Sequence, residues 1–322
     1  MKKKYKLSII ILSFNTKDLL AQCLDSIYSQ TKQTSYEVII VDNGSVDASK
    51  EMIQSQNWPF PISLIINDHN VGFGTANNQA AEKAQGEWLL LLNSDTILKN
   101  NTIDKMFEYI QSLNNQDSNN IYAPQLLNHD NSIQPSAGFF PTIQRVFAQM
   151  LMIDDLPIIK NIIKPSQVSN HQDYTLHSRY KIANTNHLSF DWTTGAFLLL
   201  KKETFQSVNG FDPAIFMYGE EVDLSYRIAQ SKPKKASGIL FPNIHCYHLK
   251  GRSSKDGFKA AVLGEYKGLI TFYTKHLPHQ INLLKLAIFL GALLRIAIFG
   301  IIDPYKAKIY LKALQLVCSK GT

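Results

Sequence analysis

Short runs of consecutive apolar residues alternate with amphipathic stretches along the first third of the chain. Residues 7–14 form a β-branched run, and 17–30 carry apolar side chains at helical spacing. Residues 37–41 and 62–66 read as a second and a third strand, with a helix over 48–54 between them. A helix over 75–84 leads into 87–92, a strand with four successive leucines, and 102–112 is a further amphipathic helix. Short, fully apolar strands alternating with helices predict a mostly parallel sheet covered on both faces. The stretch 114–120 is polar. Residues 123–186 are irregular and rich in Pro, Asn and His, with an apolar patch at 146–163, and suggest a substrate-facing insertion with some helix. Regular structure is expected again at 190–201 and in a helix over 221–229.

The tail has a different pattern. INLLKLAIFLGALLRIAIFGII, residues 281–302, is almost continuously apolar and is interrupted by Lys285 and Arg295. Its length would cross a bilayer, but a charge near mid-span costs about 3 kcal/mol on insertion scales. A helix lying in or on the membrane, flanked by Lys275, Lys306 and Lys308, is the expectation. Packing on the protein or on a partner chain is the alternative, and a true span a third. At the other end, MKKKYKLSIIILSF mimics a signal peptide. Its apolar run is short, and Asn15, Lys17 and Asp18 follow without a small-residue cleavage site, so it reads as a first buried strand.

With 322 residues, 45% apolar, the chain can bury one large core or two modest ones. A charged content of 18% excludes a disordered chain. The formal charge of +7 raises nucleic acid as a partner, but the basic residues are scattered, with doublets at Lys201-Lys202 and Lys234-Lys235 and no recognised motif. Anionic lipid or a polyanionic substrate explains the excess, and no nucleic-acid partner is expected. Cys23, Cys246 and Cys318 have no metal or redox spacing, which suggests a reducing compartment.

Chemistry concentrates where the predicted strands stop. The four-leucine strand ends on Asn93, Ser94 and Asp95, and ligands bind at the carboxyl ends of strands in open α/β sheets. A carboxylate there suits a hard divalent cation bridging to phosphates. The second strand ends on Asp42-Asn43-Gly44-Ser45. Asp42 can accept the imide N–H of uracil or thymine, and the turn amides of Gly44 and Ser45 can face phosphate oxygens. Alternatively, this is a strand-to-helix turn in which Asp47 caps the next helix. Gly72 and Gly74, after Asn70, let backbone approach a ligand. Asn77, one turn into the helix, reaches the nucleotide or is a surface amide. Trp192, Thr194 and Gly195 are assigned no chemistry. Glu220 and Glu221 are adjacent acids at a helix start, where they repel each other or simply complement the helix dipole. Asp223 and Arg227 have the spacing of an i,i+4 contact.

Taken in order, these segments resemble the inverting nucleotide-sugar glycosyltransferases of the large family two, which have the GT-A fold, and are most similar to its bacterial rhamnosyltransferase-like branch. The resemblance runs over about residues 5 to 255. It begins at Leu7-Ser8-Ile9-Ile10 and Ser13-Phe14-Asn15, and continues through Asp42–Ser45, Asn70-Val71-Gly72 and Asn93-Ser94-Asp95. Gly195-Ala196, GFDPAIFMYGEEVDLSYR from Gly210 and HLKGRSS at His248 complete it. It implies an α/β, Rossmann-like domain at 1–255, with a nucleotide-sugar-binding half at 1–122 and an acceptor-side half at 123–255, followed by a helical, membrane-associating tail at 256–322.

By the same resemblance, Asn15 and Asp42 hold the nucleobase and ribose; Asn43, Gly44, Asn70, Gly72 and Asn77 are the further nucleotide-binding candidates. Asn93-Ser94-Asp95 takes the place of the family's Asp-x-Asp metal motif, with Asn93 and Ser94 as binding candidates, Asp95 as the direct ligand to Mg²⁺ or Mn²⁺ and His248 completing the metal site. His245 is a rival to His248. Asn93 stands where relatives usually carry Asp, which removes one negative charge. Glu221 matches the catalytic base, one methylene longer than the usual Asp, with Glu220 the alternative. The implied reaction moves a sugar from dTDP-rhamnose or a UDP-sugar to a glycan or lipid-linked glycan hydroxyl in envelope polysaccharide synthesis. The implied setting is the cytoplasmic face of the cell membrane. A nucleotidyltransferase and a non-catalytic scaffold remain the other classes; the first would need a Gly-rich basic loop after the first strand, where the chain has Ser13-Phe14-Asn15-Thr16.

Overall fold

The computed structural model describes residues 5–113, 120–154, 156–168, 187–231, 237–249 and 257–318. Lys234-Lys235, the polar residues 114–119, residues 169–186 of the irregular stretch and the end of the HLKGRSS motif lie outside them.

The amino-terminal half follows the pattern of its apolar runs. Strands β1 (Tyr5–Ser13), β2 (Tyr36–Asp42), β3 (Ile62–Ile66) and β4 (Gly86–Asn93) are separated by helices α1 (Lys17–Gln30), α2 (Ser49–Ser55) and α3 (Phe73–Lys83). The short β5 (Thr96–Leu98) and helix α4 (Thr102–Ser112) follow. Successive side chains of a strand point to opposite faces, and both faces here are apolar. Leu7, Ile9 and Ile11 join Val38, Ile40, Leu90 and Leu92 in the layer beneath α1 and α4. Ile10, Ile39, Val41, Leu89 and Leu91 join Ala76 and Ala80 of α3 on the other face.

The second half adds β6 (Ile121–Leu127), β7 (Ala137–Gly138), α5 (Ile143–Met150), α6 (Pro157–Ile162), β8 (Leu188–Phe190), β9 (Trp192–Thr193) and β10 (Phe197–Lys201). Helices α7 (Lys202–Ser207) and α8 (Glu220–Gln230), strand β11 (Gly238–His248), and helices α9 (Gly257–His276), α10 (Ile281–Ile302) and α11 (Pro304–Cys318) complete it. The main sheet has the order β3-β2-β1-β4-β10-β6-β11-β5, with β8 also paired to β11. Strands β1 to β4 are mutually parallel where they pair. Strand β10 is antiparallel to both β4 and β6, and β6 is parallel to β11. Two reversals therefore return β6 and β11 to the direction of β4, so β1, β2, β4 and β11 all end on one edge.

One sequence expectation needs correction. Residues 121–127 form a fully buried strand although they fall at the start of the stretch read as irregular. Pro124 hid it: proline cannot donate to a ladder, and the pairing slips just after Pro124↔Phe241, resuming at Gln125↔His245. Regular structure does return over residues 190–201, divided among β8, β9 and β10. Here β9 leaves the main sheet to pair with β7, and the Trp192 ring fits where Gly138 has no Cβ; one there would lie 2.6 Å from it.

A third cluster sits apart from the sheet. Val146 and Met150 of α5, Tyr266 and Tyr273 of α9, Leu284 and Ile288 of α10, and Tyr310 of α11 pack together. Helix α10 commits one face, Leu284, Ala287, Ile288 and Gly291, to this cluster. The opposite face presents Leu283, Leu286, Phe289, Leu290 and Leu293 to solvent.

Candidate active site

Register places the strand-end residues side by side. Ser13 pairs with Asp42, and Leu12 with Asn93, along the edge where β1, β2 and β4 stop. Asp42 is fully buried. Its Oδ1 accepts the Ser45 N–H at 2.9 Å, while Oδ2 has no hydrogen-bond partner. Leaving a buried carboxylate oxygen unpaired costs about 1–3 kcal/mol or more, so this atom suits an N–H arriving with a ligand. Gly44 is needed beside it: its φ is +84°, and a Cβ would lie 2.8 Å from the His69 backbone.

The asparagines around Asp42 build the loops. Asn15, at φ +55°, accepts the Val46 N–H through Oδ1 at 2.8 Å and donates its own N–H to Ser45 Oγ at 3.0 Å. Asn43 donates to Asn70 Oδ1 at 2.8 Å and accepts from Asn67 Nδ2 and the Val71 N–H at 3.0 and 3.2 Å. Asn70 also accepts the Gly72 N–H at 2.9 Å. Asn77 is buried and donates back to Phe73 O at 2.9 Å, so it is not the surface amide that was one sequence reading. Asp47 does act as a cap, taking the Lys17 N–H and the Ser49 N–H and hydroxyl.

Next along the edge lie Asn93, Ser94 and Asp95. Ser94 Oγ bonds to Thr16 Oγ1 at 2.9 Å, tying β4 to the loop after β1. Asp95 is 7% exposed, and its Oδ1 lies 3.2 Å from His248 Nε2 at the end of β11. His248 Nδ1 is 2.6 Å from Gln134 Oε1. Gln134 donates its amide group to Asn128 Oδ1 at 2.7 Å and to the His248 carbonyl at 3.2 Å, so its oxygen must accept from Nδ1–H. In the neutral ring Nε2 then carries a lone pair aimed at a carboxylate oxygen, with Asn93 Nδ2 3.4 Å away. Asp95 Oδ1 and His248 Nε2 thus lie side by side as an oxygen and a nitrogen that can both ligate a cation, and an imidazole oriented through its other nitrogen is the usual arrangement of a metal ligand. Among the described residues no group of three or more His, Cys, Asp and Glu gathers around a common point. With this pair alone, a cation here would have to complete its shell with ligand oxygens, as Mg²⁺ does with phosphates. His245 is three residues from His248 on the same strand, and strand alternation directs it to the opposite face. Gln134 was not read from the sequence, since NSIQPS has no pattern to mark it.

The acidic segment reaches the same loops. The Phe73 N–H donates to Phe216 O at 2.9 Å, and Gly72, at φ +90°, has Phe216 O where a Cβ would be, at 2.7 Å. The loop at Gly72 is thus joined to the segment that begins α8 through Tyr218 and Gly219, both at positive φ. Glu220 Oε2 and Glu221 Oε2 are buried without partners. Burial pushes the Glu220 carboxyl well up, and the charge of Glu221 adds to it. Burial also raises Glu221; backbone N–H groups of the helix start oppose this, and the charge of Glu265 reinforces it. Asp223 is different. Arg227 Nε at 2.7 Å, His276 Nε2 at 2.7 Å and Lys275 Nζ at 3.0 Å surround it. Although burial alone would raise it, these partners hold it at about 2, which makes it a structural anchor. Trp192 is 7% exposed and donates to Phe139 O at 3.1 Å, a core residue.

Residues 8–145 match the model described as Glycosyl transferase family 2. A rhamnosyltransferase of Escherichia coli (strain K12), WbbL, is 27% identical over 255 residues, 76% of this chain and 85% of that protein. An uncharacterized glycosyltransferase of Haemophilus influenzae is 36% identical over 119 residues, a stretch that spans 37% of this chain and 38% of that protein's length. In fold, the chain is similar to GalNAc-T7 solved with UDP, GalNAc and Mn²⁺. The TM-score is 0.57 and the identity 15%, over 89% of this chain and 55% of that one.

Proposed function

We propose that the chain, which has the GT-A fold and matches the model of glycosyl transferase family 2 over residues 8–145, is a transferase of that family and moves a sugar from an NDP-sugar to an acceptor hydroxyl. The reaction is a single displacement with inversion, in synthesis of cell-envelope polysaccharide. The observation that carries this reading is the Asp95–His248 pair, a carboxylate oxygen and a ring nitrogen 3.2 Å apart on the sheet edge that also holds the unpaired Asp42 oxygen.

Asp42 Oδ2 accepts the imide N–H common to thymine and uracil, which favours dTDP-rhamnose or a UDP-sugar as donor. Similarity to a rhamnosyltransferase supports the first. Gly44, Gly72 and the Asn15, Asn43 and Asn70 amides hold the loops that enclose the nucleotide, and Asn77 fixes the helix behind them. Asp95 and His248 hold Mg²⁺ or Mn²⁺, with Asn93 and Ser94 alongside. When bound, the cation supplies Lewis-acid stabilisation of the departing diphosphate. Glu221 takes the proton of the acceptor hydroxyl as it attacks the anomeric carbon from the far side, with Glu220 the alternative base. A raised carboxyl pKa suits that task near neutral pH.

The division is a nucleotide-sugar half at 1–122, an acceptor half at 123–255, and a tail at 256–322 that rests on the membrane. Arg295 supports a helix lying on the bilayer. Its guanidinium turns inward to the Gln149 and Met150 carbonyls at the end of α5, so the outward face of α10 is apolar. The acceptor is a glycan or lipid-linked glycan, and the enzyme works from the cytoplasmic face of the cell membrane. Release of NDP from dTDP-rhamnose and UDP-sugars, with and without Mg²⁺ or Mn²⁺, tests the reading. Metal-dependent release that is lost in Asp95→Ala and Glu221→Gln supports it; release that persists in both variants contradicts it.

A further inference from the structure

The match to the family model ends at residue 145, and helix α9 begins only at Gly257. Gly264, Gly268, Phe272 and His276 follow one another along α9 at four-residue spacing, which puts them on one face of the helix. All four meet α8 or the turn that starts it. Gly264 lies against the Tyr218 ring, where a Cβ would fall 2.3 Å from a ring carbon. Gly268 lies against the backbone of the same turn: a Cβ there would be 2.2 Å from Tyr218 O and 3.5 Å from Gly219 Cα. Glycine at both positions lets the turn come this close.

Further along, the contact continues through side chains. The Tyr226 ring of α8 has its centroid 5.1 Å from that of Phe272 and 4.6 Å from that of His276. His276 Nε2 lies 2.7 Å from Asp223 Oδ1, and Lys275 Nζ donates to the same oxygen at 3.0 Å and to Asp212 Oδ2 at 2.7 Å. Helix α8 is thus held along α9 from its first turn to its third.

The acids stand between these two holds. Tyr218 has φ +71°, a strained conformation for a residue with a bulky side chain, and Gly219 has φ +96°. The Gly219 carbonyl accepts the Asp223 N–H at 3.0 Å, so the turn sets the direction in which α8 starts. Glu220 and Glu221 are the first two residues of that helix, and their Oε2 atoms make no hydrogen bond. Their aim therefore depends on the backbone that carries them.

We propose that α9 is the positioning helix of the base: Gly264 and Gly268 seat the Tyr218-Gly219 turn, Lys275 and His276 hold Asp223, and the two holds together fix where Glu221 points. The inference rests on the reading of Glu221 as the base. It makes α9 a working part of the acceptor half and leaves α10 and α11 as the membrane-resting tail.

The test compares Gly268→Ala with Gly300→Ala in the full chain. Both exchange a helix glycine for alanine, but a Cβ at Gly300 meets nothing within 4 Å, so that variant controls for helix propensity. Amide hydrogen exchange is followed across residues 216–224. Steady-state NDP release is measured with Mn²⁺ and whichever of dTDP-rhamnose and a set of UDP-sugars the native chain turns over fastest, and binding of dTDP and UDP is measured by calorimetry. In Gly268→Ala, exchange over 216–224 accelerates and kcat falls about 100-fold, the scale of a small misplacement at a reacting centre. Nucleotide affinity and donor KM stay native, because Asp42 and Asp95 stand on other elements. Gly300→Ala matches the native chain throughout. Lys275→Met, which loosens the other hold, gives a smaller fall in kcat with the same unchanged binding, and Lys275→Arg recovers most of it; this pair serves if Gly268→Ala does not fold. Native exchange and native kcat in both Gly268→Ala and Lys275→Met overturn the proposal, and so does a loss of nucleotide affinity as large as the loss of kcat. The two readings fail separately. If the native chain releases no NDP, or Glu221→Gln keeps the full rate, the base assignment falls and the exchange data decide whether α9 seats the turn. If Glu221→Gln is inactive while Gly268→Ala and Lys275→Met behave as native, only the role of α9 falls.

Discussion

Replacing Gln134 with Leu tests the orientation of His248 without touching Asp95 or His248, the proposed cation ligands. Gln134 is 3% exposed, and its oxygen accepts the His248 Nδ1–H at 2.6 Å. Leucine removes that acceptor and leaves a buried N–H unpaired, along with the His248 carbonyl and Asn128 Oδ1 that Gln134 served. Loss of an outer partner of a metal-bound histidine typically weakens metal affinity about 10–100-fold, or roughly 1.4–2.8 kcal/mol at 1.4 kcal/mol per tenfold. The unpaired buried groups should lower folding stability by a further ~1–3 kcal/mol. The assay is Mn²⁺ titration by calorimetry in the presence of UDP or dTDP, paired with a thermal melt. Gln134→Glu is the control, because its carboxylate still accepts from Nδ1–H and should keep most of the affinity while losing the two amide donations. If Gln134→Leu binds Mn²⁺ as tightly as the native chain, Nδ1 is not held by Gln134 and the lone pair on Nε2 is not fixed toward Asp95.

Asp42→Asn puts an amide where the unpaired carboxylate oxygen waits, and should weaken binding of UDP or dTDP about 10-fold or more; equal affinity in a nucleotide titration would exclude a base contact at Asp42. Leu286→Lys with Leu290→Lys should abolish flotation with anionic liposomes at little cost in stability, because both side chains point outward. Arg295→Leu should leave flotation intact and lower the melting temperature, since its partners are α5 carbonyls; loss of flotation there would mean the arginine faces lipid. The Asp223 cluster predicts acid sensitivity. Its carboxyl is held at about 2, below the ordinary value of 3.8, so its contribution is present above about pH 4 and disappears as pH falls toward 2. The size is about 2 kcal/mol, and the unfolding free energies of the native chain and Asp223→Asn should converge over that window; parallel curves would refute the ion cluster.

Sequence pattern reveals the elements that obey one period and hides those decided by distant partners. Strands β1 to β4 and helices α1, α4 and α10 follow directly from apolar spacing, because both faces of the sheet and one face of each helix must be buried. Strand β6 was obscured by Pro124, whose ladder defect is absorbed by a register slip that only β11 reveals. The strand-end acids were visible, but Gln134, which orients His248, comes from a loop joined to it only in space. The asparagines show another limit. Asn43 and Asn77 have the right positions for a ligand, yet loop-building amides and ligand-facing amides are identical in sequence, and here both are engaged within the protein. Likewise, the cost of a mid-span charge was legible from Arg295, whereas its inward direction depends on the carbonyls at the end of α5.

The most direct measurement is an anomalous difference map from crystals grown with Mn²⁺ and an intact donor analogue. One manganese peak bonded to both Asp95 and His248, touching the diphosphate, with the Glu221 carboxylate on the opposite side of the sugar, is the result required. A peak elsewhere, or a Glu221 turned away from the sugar, would contradict it.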